Sequence, residues 1–376
     1  STQSRSSAAS DVYKRQPETS CGSGIMDSYV PDAVGVTVAS GCMTAPPPAL
    51  GHLATPGTPL NLGSTCECPE STTSTGGDGV SRGKFGAVAV HEERQSPRVT
   101  MSTPRVTLST TSVYPESTVQ GIACAADLGF DGIELMVGID GISADIDRVE
   151  EAARANDITV TSVHAPCLLV TPTVWGGQPW PRLEKACEAA RRFGARTVVV
   201  HPPFRWQRDY AAGFEEGVAR LEADPRNVAA GVRIAVENMY PWRTPVGRFL
   251  AYAPDWDPSE RSYSHLTLDL SHAATAQCSA LDLVQRWGER LTHIHLTDGS
   301  GSFRDEHLMP GQGGQHAWQV VCEAVQGGFR GDVVLEVNTR RLSGPRERRV
   351  ALSRSLVETR QAIADALACT TRTGGA

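Results

Sequence analysis

From residue 101 onward, short β-branched runs alternate with amphipathic stretches, and no other feature limits the fold as strongly. The strand candidates are 106–111, 131–136, 158–164, 196–201, 232–237, 265–269, 291–296 and 332–337. Helical patterns fall between them, among them 143–155, 181–193, 210–223, 280–287, 317–325 and 345–366. Gly129 and Gly194 stand where helices should stop. Eight strands with helices between them predict an α/β architecture, a closed (β/α)8 TIM barrel. An open doubly wound sheet would carry a Gly-rich phosphate fingerprint after its first strand. Ser112-Val113-Tyr114-Pro115 stands there instead.

Composition sets the boundary of that barrel. Of the first 100 residues, 55 are Gly, Pro, Ser, Thr or Ala, and only Tyr13, Tyr29 and Phe85 are aromatic. Such a stretch buries too little apolar surface to offset chain entropy. Residues 1–100 are therefore expected to be a disordered or non-native leader, with translation starting at Met101 and the barrel occupying 101–376. The barrel region carries a net charge of −5, so nucleic acid is the less expected partner and a small molecule the more expected one. No apolar run reaches a membrane-spanning length of about 18 residues, and no secretion signal opens the chain, so a cytoplasmic protein is expected. A homo-oligomer stays open. Ten cysteines without secretory context read as reduced thiols, and no structural disulfide is expected in the barrel.

In a barrel of this kind the reactive face lies where the strands end. Strands three to eight end on or near His164, His201, Glu237, Asp269, His295 and Glu336. A single His at such a position is usually a hydrogen-bonded interior residue. Six consecutive strands delivering imidazoles and carboxylates are different, because converging buried carboxylates is reasonable only around cations. The mixed donor set suits Zn²⁺, Mn²⁺ or a related divalent ion. His272 follows Asp269 by one turn, and the Asp305-Glu306-His307 segment lets two side chains of one loop reach one ion.

The segments Val236-Glu237-Asn238, Leu268-Asp269-Leu270-Ser271-His272, His295-Leu296-Thr297-Asp298, Asp305-Glu306-His307 and Leu335-Glu336-Val337-Asn338 arrive in an order that resembles the xylose isomerase-like TIM barrel superfamily. That group includes sugar-phosphate isomerases and epimerases and the family 2 AP endonucleases, and the resemblance covers residues 105–370. In the isomerase branch it implies one ion held by Glu237, Asp269, His295 and Glu336. In the endonuclease IV-like branch it implies a two- or three-metal zinc cluster, completed by His164, His201, His272, Asp305 and His307. One to three divalent ions are thus implied.

Two functions follow. The leading one is a metal-dependent sugar or sugar-phosphate isomerase or epimerase of carbohydrate metabolism, working through a metal-stabilised enediolate, with Glu237 and Glu336 exchanging the proton. His272 and Arg304 would hold substrate oxygens, Glu134 a hydroxyl, and Trp206 and Trp242 would stack on sugar C–H faces. The alternative is phosphodiester hydrolysis by the metal cluster, for which all nine ligands are present but a basic, aromatic-laced track for DNA is not. A non-catalytic barrel is disfavoured by the complete ligand set. His293 reads as an interior residue, and the Gly299-Ser300-Gly301 turn reads as either a phosphate seat or a plain loop.

Overall fold

The computed structural model describes residues 103–166, 171, 173–244, 247–302 and 304–373. The expected leader, Met101, and Cys21, Cys42, Cys66, Cys68 and Cys167 lie outside the described residues.

All eight expected strands form. They are β1 (Arg105–Ser109), β2 (Ile133–Met136), β3 (Val160–His164), β4 (Thr197–Val200), β5 (Arg233–Glu237), β8 (His265–Asp269), β9 (Leu291–Leu296) and β10 (Asp332–Leu335). They are parallel and close on themselves in the order β1-β10-β9-β8-β5-β4-β3-β2. The numbers missing from that ring, β6 (Trp242–Thr244) and β7 (Gly247–Phe249), form an antiparallel hairpin in the loop after β5. Sequence periodicity did not show this hairpin because each arm has only three residues.

Around the barrel run α1 (Thr118–Leu128), α2 (Ile146–Ala155), α3 (Pro179–Phe193), α4 (Arg208–Ala212), α5 (Phe214–Glu222), α6 (Pro225–Ala230), α7 (Leu270–Ala276), α8 (Ala280–Trp287), α9 (Ala317–Gln326) and α10 (Pro345–Thr373). The expected helical stops hold: Gly129 and Gly194 take φ of +79° and +71° and end α1 and α3 in the left-handed region. The span expected as one helix over 210–223 is divided at Gly213 into α4 and α5.

Strand alternation sorts the side chains into two environments. Outward-facing Val198, Val200, Ile234, Val236, Leu266, Leu268, Ile294 and Leu296 pack with the helices into the main apolar core. The residues between them fill the barrel interior, and many of these are polar: Thr107, Ser109, Glu134, Ser162, Thr267, His293 and His295 have no exposed surface. A barrel interior is ordinarily packed with branched aliphatics, so this polar column marks the mouth above it as chemical.

One expectation fails. Cys322 on α9 and Cys369 on α10 are disulfide-bonded. The two helices pack along one another, a juxtaposition that sequence spacing does not reveal. Cys124, Cys187 and Cys278 are free thiols.

Candidate metal centre

The expected ligands converge at the C-terminal mouth of the barrel. His164 ends β3, His201 follows β4, Glu237 ends β5, Asp269 ends β8, His295 lies in β9 and Glu336 follows β10. Glu237 is the hub. Its Oε2 lies 3.3 Å from His164 Nε2 and 2.9 Å from His201 Nε2, while its Oε1 lies 3.1 Å from His295 Nδ1 and 3.3 Å from His272 Nδ1. Glu336 Oε2 reaches the same His295 nitrogen at 2.9 Å, and Asp269 Oδ2 at 3.5 Å. On the other flank Asp305 Oδ2 sits 3.1 Å from His307 Nε2 and 3.3 Å from His272 Nε2. The donor atoms at the mouth form three overlapping groups, His164/His201/Glu237, Glu237/Asp269/His295 and Asp269/His272/His307, and a fourth, Glu134/His293/His295, lies beneath them and shares His295, each within 4.8 Å internally.

Local structure aims these side chains. The Asp269 carboxylate accepts from the His272 backbone N–H at 2.7 Å and caps α7, so His272 stands in the first helical turn rather than in a plain turn. Asn238 bridges β5 and β8: its amide donates to the Asp269 carbonyl at 3.0 Å and accepts from the Asp269 N–H at 2.7 Å. Ser271 anchors the next loop, donating to Asp305 Oδ1 at 2.6 Å and accepting from the N–H groups of Glu306 and His307. His307 is held at φ +44°, a left-handed conformation that disfavours a non-glycine residue by roughly 1–2 kcal/mol. Asn238 and Ser271 stand inside the segments quoted from the sequence, but the sequence assigns neither of them a role. Their signal was adjacency to a ligand, which no spacing rule reads.

Backbone carbonyls set the imidazole tautomers. His164, His272 and His307 direct Nδ1 at the carbonyls of Ala165, Asn238 and Glu336, at 3.1, 2.8 and 3.1 Å. A carbonyl only accepts, so each Nδ1 carries hydrogen and each Nε2 is turned toward the carboxylates. Electrostatics follow from this crowding. Burial opposes charge throughout, yet the imidazoles of His201 and His295 hold Glu237 well below the usual carboxylate range. Asp269 and Asp305 lift His272, and Glu336, Glu134 and Glu237 lift His295, each well above an ordinary histidine despite burial. His307 is pushed up to about 10, against burial, chiefly by Asp305. His201 goes the other way, because burial outweighs its carboxylate contact.

A divalent ion fits this donor set. Asp269 has no exposed surface and its Oδ2 lacks any hydrogen-bond partner, an unmade interaction that a cation would satisfy. Imidazoles and carboxylates in this mixture are ligands for zinc-like or manganese-like ions.

The other expected site residues take separate places. Trp206 is 47% exposed and stacks on Phe204 at 4.5 Å, with Trp242 5.7 Å away. This aromatic wall continues through Tyr252 to Tyr240, whose ring lies 4.9 Å from His272. Two further tryptophans, Trp175 and Trp180, serve packing, Trp175 donating to the Ala144 carbonyl and Trp180 lying against Tyr210 and Phe214. Arg304 is exposed on the loop after β9, and its carbonyl accepts from Thr275 Oγ1. Glu134 is fully buried beneath His295 and bonded to Ser162 and His293. The N–H groups of Gly299 and Ser300 are taken by the carboxylates of Asp298 and Glu306, which leaves neither for a phosphate.

Residues 122–360 match a family model described as the xylose isomerase-like TIM barrel. The chain belongs to this family. Uncharacterized proteins of Mycobacterium leprae and Mycobacterium tuberculosis are each 46% identical to it over 265 residues, spanning 65% of this chain and 92% of theirs. Among solved structures, a D-tagatose 3-epimerase-like protein superposes with a TM-score of 0.50 at 20% identity, covering 72% of this chain and all of the other. A xylose isomerase domain protein from Alicyclobacillus acidocaldarius also gives 0.50, at 22% identity over 70% of this chain and 99% of its own. At these identities the likeness establishes a xylose isomerase-like barrel and nothing finer. No helix among the described residues is long and apolar enough to cross a membrane.

Proposed function

We propose that the chain is a divalent-metal-dependent isomerase or epimerase acting on a small sugar or sugar phosphate. The observation that carries this reading is the pair of carboxylates, Glu237 Oε1 and Glu336 Oε2, flanking one point beside His295 at 3.1 and 2.9 Å from its Nδ1. Two carboxylates arriving from different strands supply a base for one face of a carbon acid and a proton donor for the other. Glu237, Asp269, His295 and Glu336 would hold an ion that polarises the substrate carbonyl and its neighbouring hydroxyl. The chain's own part is then to take the carbon-bound proton on one carboxylate and return it from the other. His272 orients oxygens at the edge of this point, and the Trp206–Trp242 wall receives the apolar face of the sugar.

A second reading rests on a different observation, the three overlapping ligand groups that share Glu237 and Asp269. That sharing suits a cluster of ions clamping a phosphate ester. Two experiments separate the readings. Exchange of solvent deuterium into a panel of ketoses and their phosphates is expected with the wild type and is lost in Glu336→Gln; no exchange across the panel overturns the isomerase reading. Elemental analysis of wild type and His201→Ala counts the ions. Two or three per chain, falling in the variant, together with cleavage of an abasic duplex, would establish the hydrolase instead.

A further inference from the structure

His295 differs from the other imidazoles of the mouth in the direction it faces. His164, His272 and His307 turn Nδ1 to a carbonyl, whereas His295 turns Nδ1 into the ligand carboxylates. Its Nε2 therefore points down into the barrel, and what waits there is a carboxylate. Glu134 Oε1 lies 3.1 Å from that nitrogen. The other oxygen of Glu134 is already committed, receiving Ser162 Oγ and facing His293 Nε2, both at 2.8 Å. Neither Oε1 nor His295 Nε2 makes a hydrogen bond, so their 3.1 Å approach is an ion-pair contact between two buried polar atoms, and both residues are without exposed surface. Among the described residues, each faces the other across that distance, and a proton on Nε2 would satisfy both.

We propose that Glu134 is a positioning residue: held by Ser162 and His293, it keeps a proton on His295 Nε2 and so presents the Nδ1 lone pair to an ion among Glu237, Asp269 and Glu336. A carboxylate in this role does more than a carbonyl, because its charge makes the imidazole a more basic ligand. It also explains why a full carboxylate stands in a sealed barrel interior, where an unpaired one is expensive. The inference rests on the metal reading proposed above.

The test uses the full chain and Zn²⁺ alone as probe. Long-range ¹H–¹⁵N correlations on the Zn²⁺-loaded wild type are expected to show His295 bound through Nδ1 with its Nε2–H retained, the resonance being identified by its absence in His295→Gln. Glu134→Ala is expected to weaken Zn²⁺ binding by roughly 10–100-fold, the usual effect of removing such a partner, and to expose the Nε2–H to fast solvent exchange. The isosteric Glu134→Gln, whose carbonyl still accepts from Nε2–H, restores the resonance and part of the affinity, and it covers the case in which Glu134→Ala fails to fold. Zn²⁺ binding and a His295 resonance both indifferent to Glu134 would overturn the proposal while leaving the metal reading intact. So would coordination of His295 through Nε2, or an ion lost on His293→Ala, since that would make Glu134, His293 and His295 a ligand group in their own right. A wild-type chain that takes up no Zn²⁺ overturns the metal reading, and this inference with it.

Discussion

At the scale of single residues, the site is a contest between burial and charge, and charge wins at most positions. His272, His295 and His307 are held as cations by the carboxylates that surround them when no ion is bound. A metal accepts only the neutral imidazole, so uptake must expel those protons. Zn²⁺ titrated into the metal-free protein at pH 7 should therefore release protons, read as an observed enthalpy that changes with the ionisation enthalpy of the buffer. An enthalpy independent of buffer would contradict the assignment. The same groups set a pH trend for stability. The folded-state pKa of His307 is raised to about 10, above an unfolded value of about 6.5. Its contribution is thus complete below about pH 6.5 and fades as pH rises toward 10. The Tm of metal-free protein should fall across this window, and that of His307→Gln should fall less. His164, His201, Glu237, Asp269, His295 and Glu336 could be picked out as candidates because each stands at or near a strand end, whereas His272, Asp305 and His307 come from α7 and the loop after β9. Tautomers were not legible, since they depend on carbonyls such as Asn238 O that only the folded backbone places.

At the scale of elements, two contacts decide whether the helices and loops support the mouth. Gly217 in α5 lies against the indole of Trp180, and a Cβ there would meet Trp180 Cη2 at 1.8 Å. Helix propensity alone favours Gly217→Ala by about 1 kcal/mol, whereas overpacking opposes it by about 1–3 kcal/mol. Overpacking should prevail because the neighbour is a large ring wedged between α3 and α5. Denaturant unfolding should show Gly217→Ala to be less stable than wild type; a gain would mean that the ring moves freely. Ser271→Ala removes three hydrogen bonds from the loop carrying Asp305 and His307. It should lose metal from the His272-Asp305-His307 flank while keeping that held by Glu237 and His295, checked by ion content per chain. Periodicity located the strands and most helices correctly. It could not see the three-residue arms of the β6–β7 hairpin or the break at Gly213, which are too short to repeat a pattern.

At the scale of the whole molecule, closure of the ring matters most. β1 and β10 lie far apart in sequence and meet along four paired residues. Their seam also carries a two-pronged contact from Arg105 to the buried Asp332, at 2.7 and 2.9 Å. Four carboxylates, Glu237, Asp269, Asp305 and Glu336, are gathered at one end of that ring, and an ion binding there stabilises the folded form by mass action. Chelation should lower Tm, and readdition of Zn²⁺ at about 1,000 times its Kd should recover about 4 kcal/mol. An unchanged Tm would leave the cluster without a resident ion. The barrel as a whole was legible because alternation of strand and helix is a global pattern. The bond at Cys322 and Cys369 was not, since it depends on two helices being laid side by side.

The spread of ligands along the chain has a further consequence. His164 is supplied by the third barrel strand in chain order and Glu336 by the residue after the eighth, so the set of candidate residues is complete only once β10 has been made. An emerging polypeptide exposes its histidines and carboxylates one at a time, each free to pick up whatever ion is near, and none can be held in the final geometry until β10 has joined β1. On the metal reading proposed above, an ion would thus be bound by the finished barrel rather than by the growing chain.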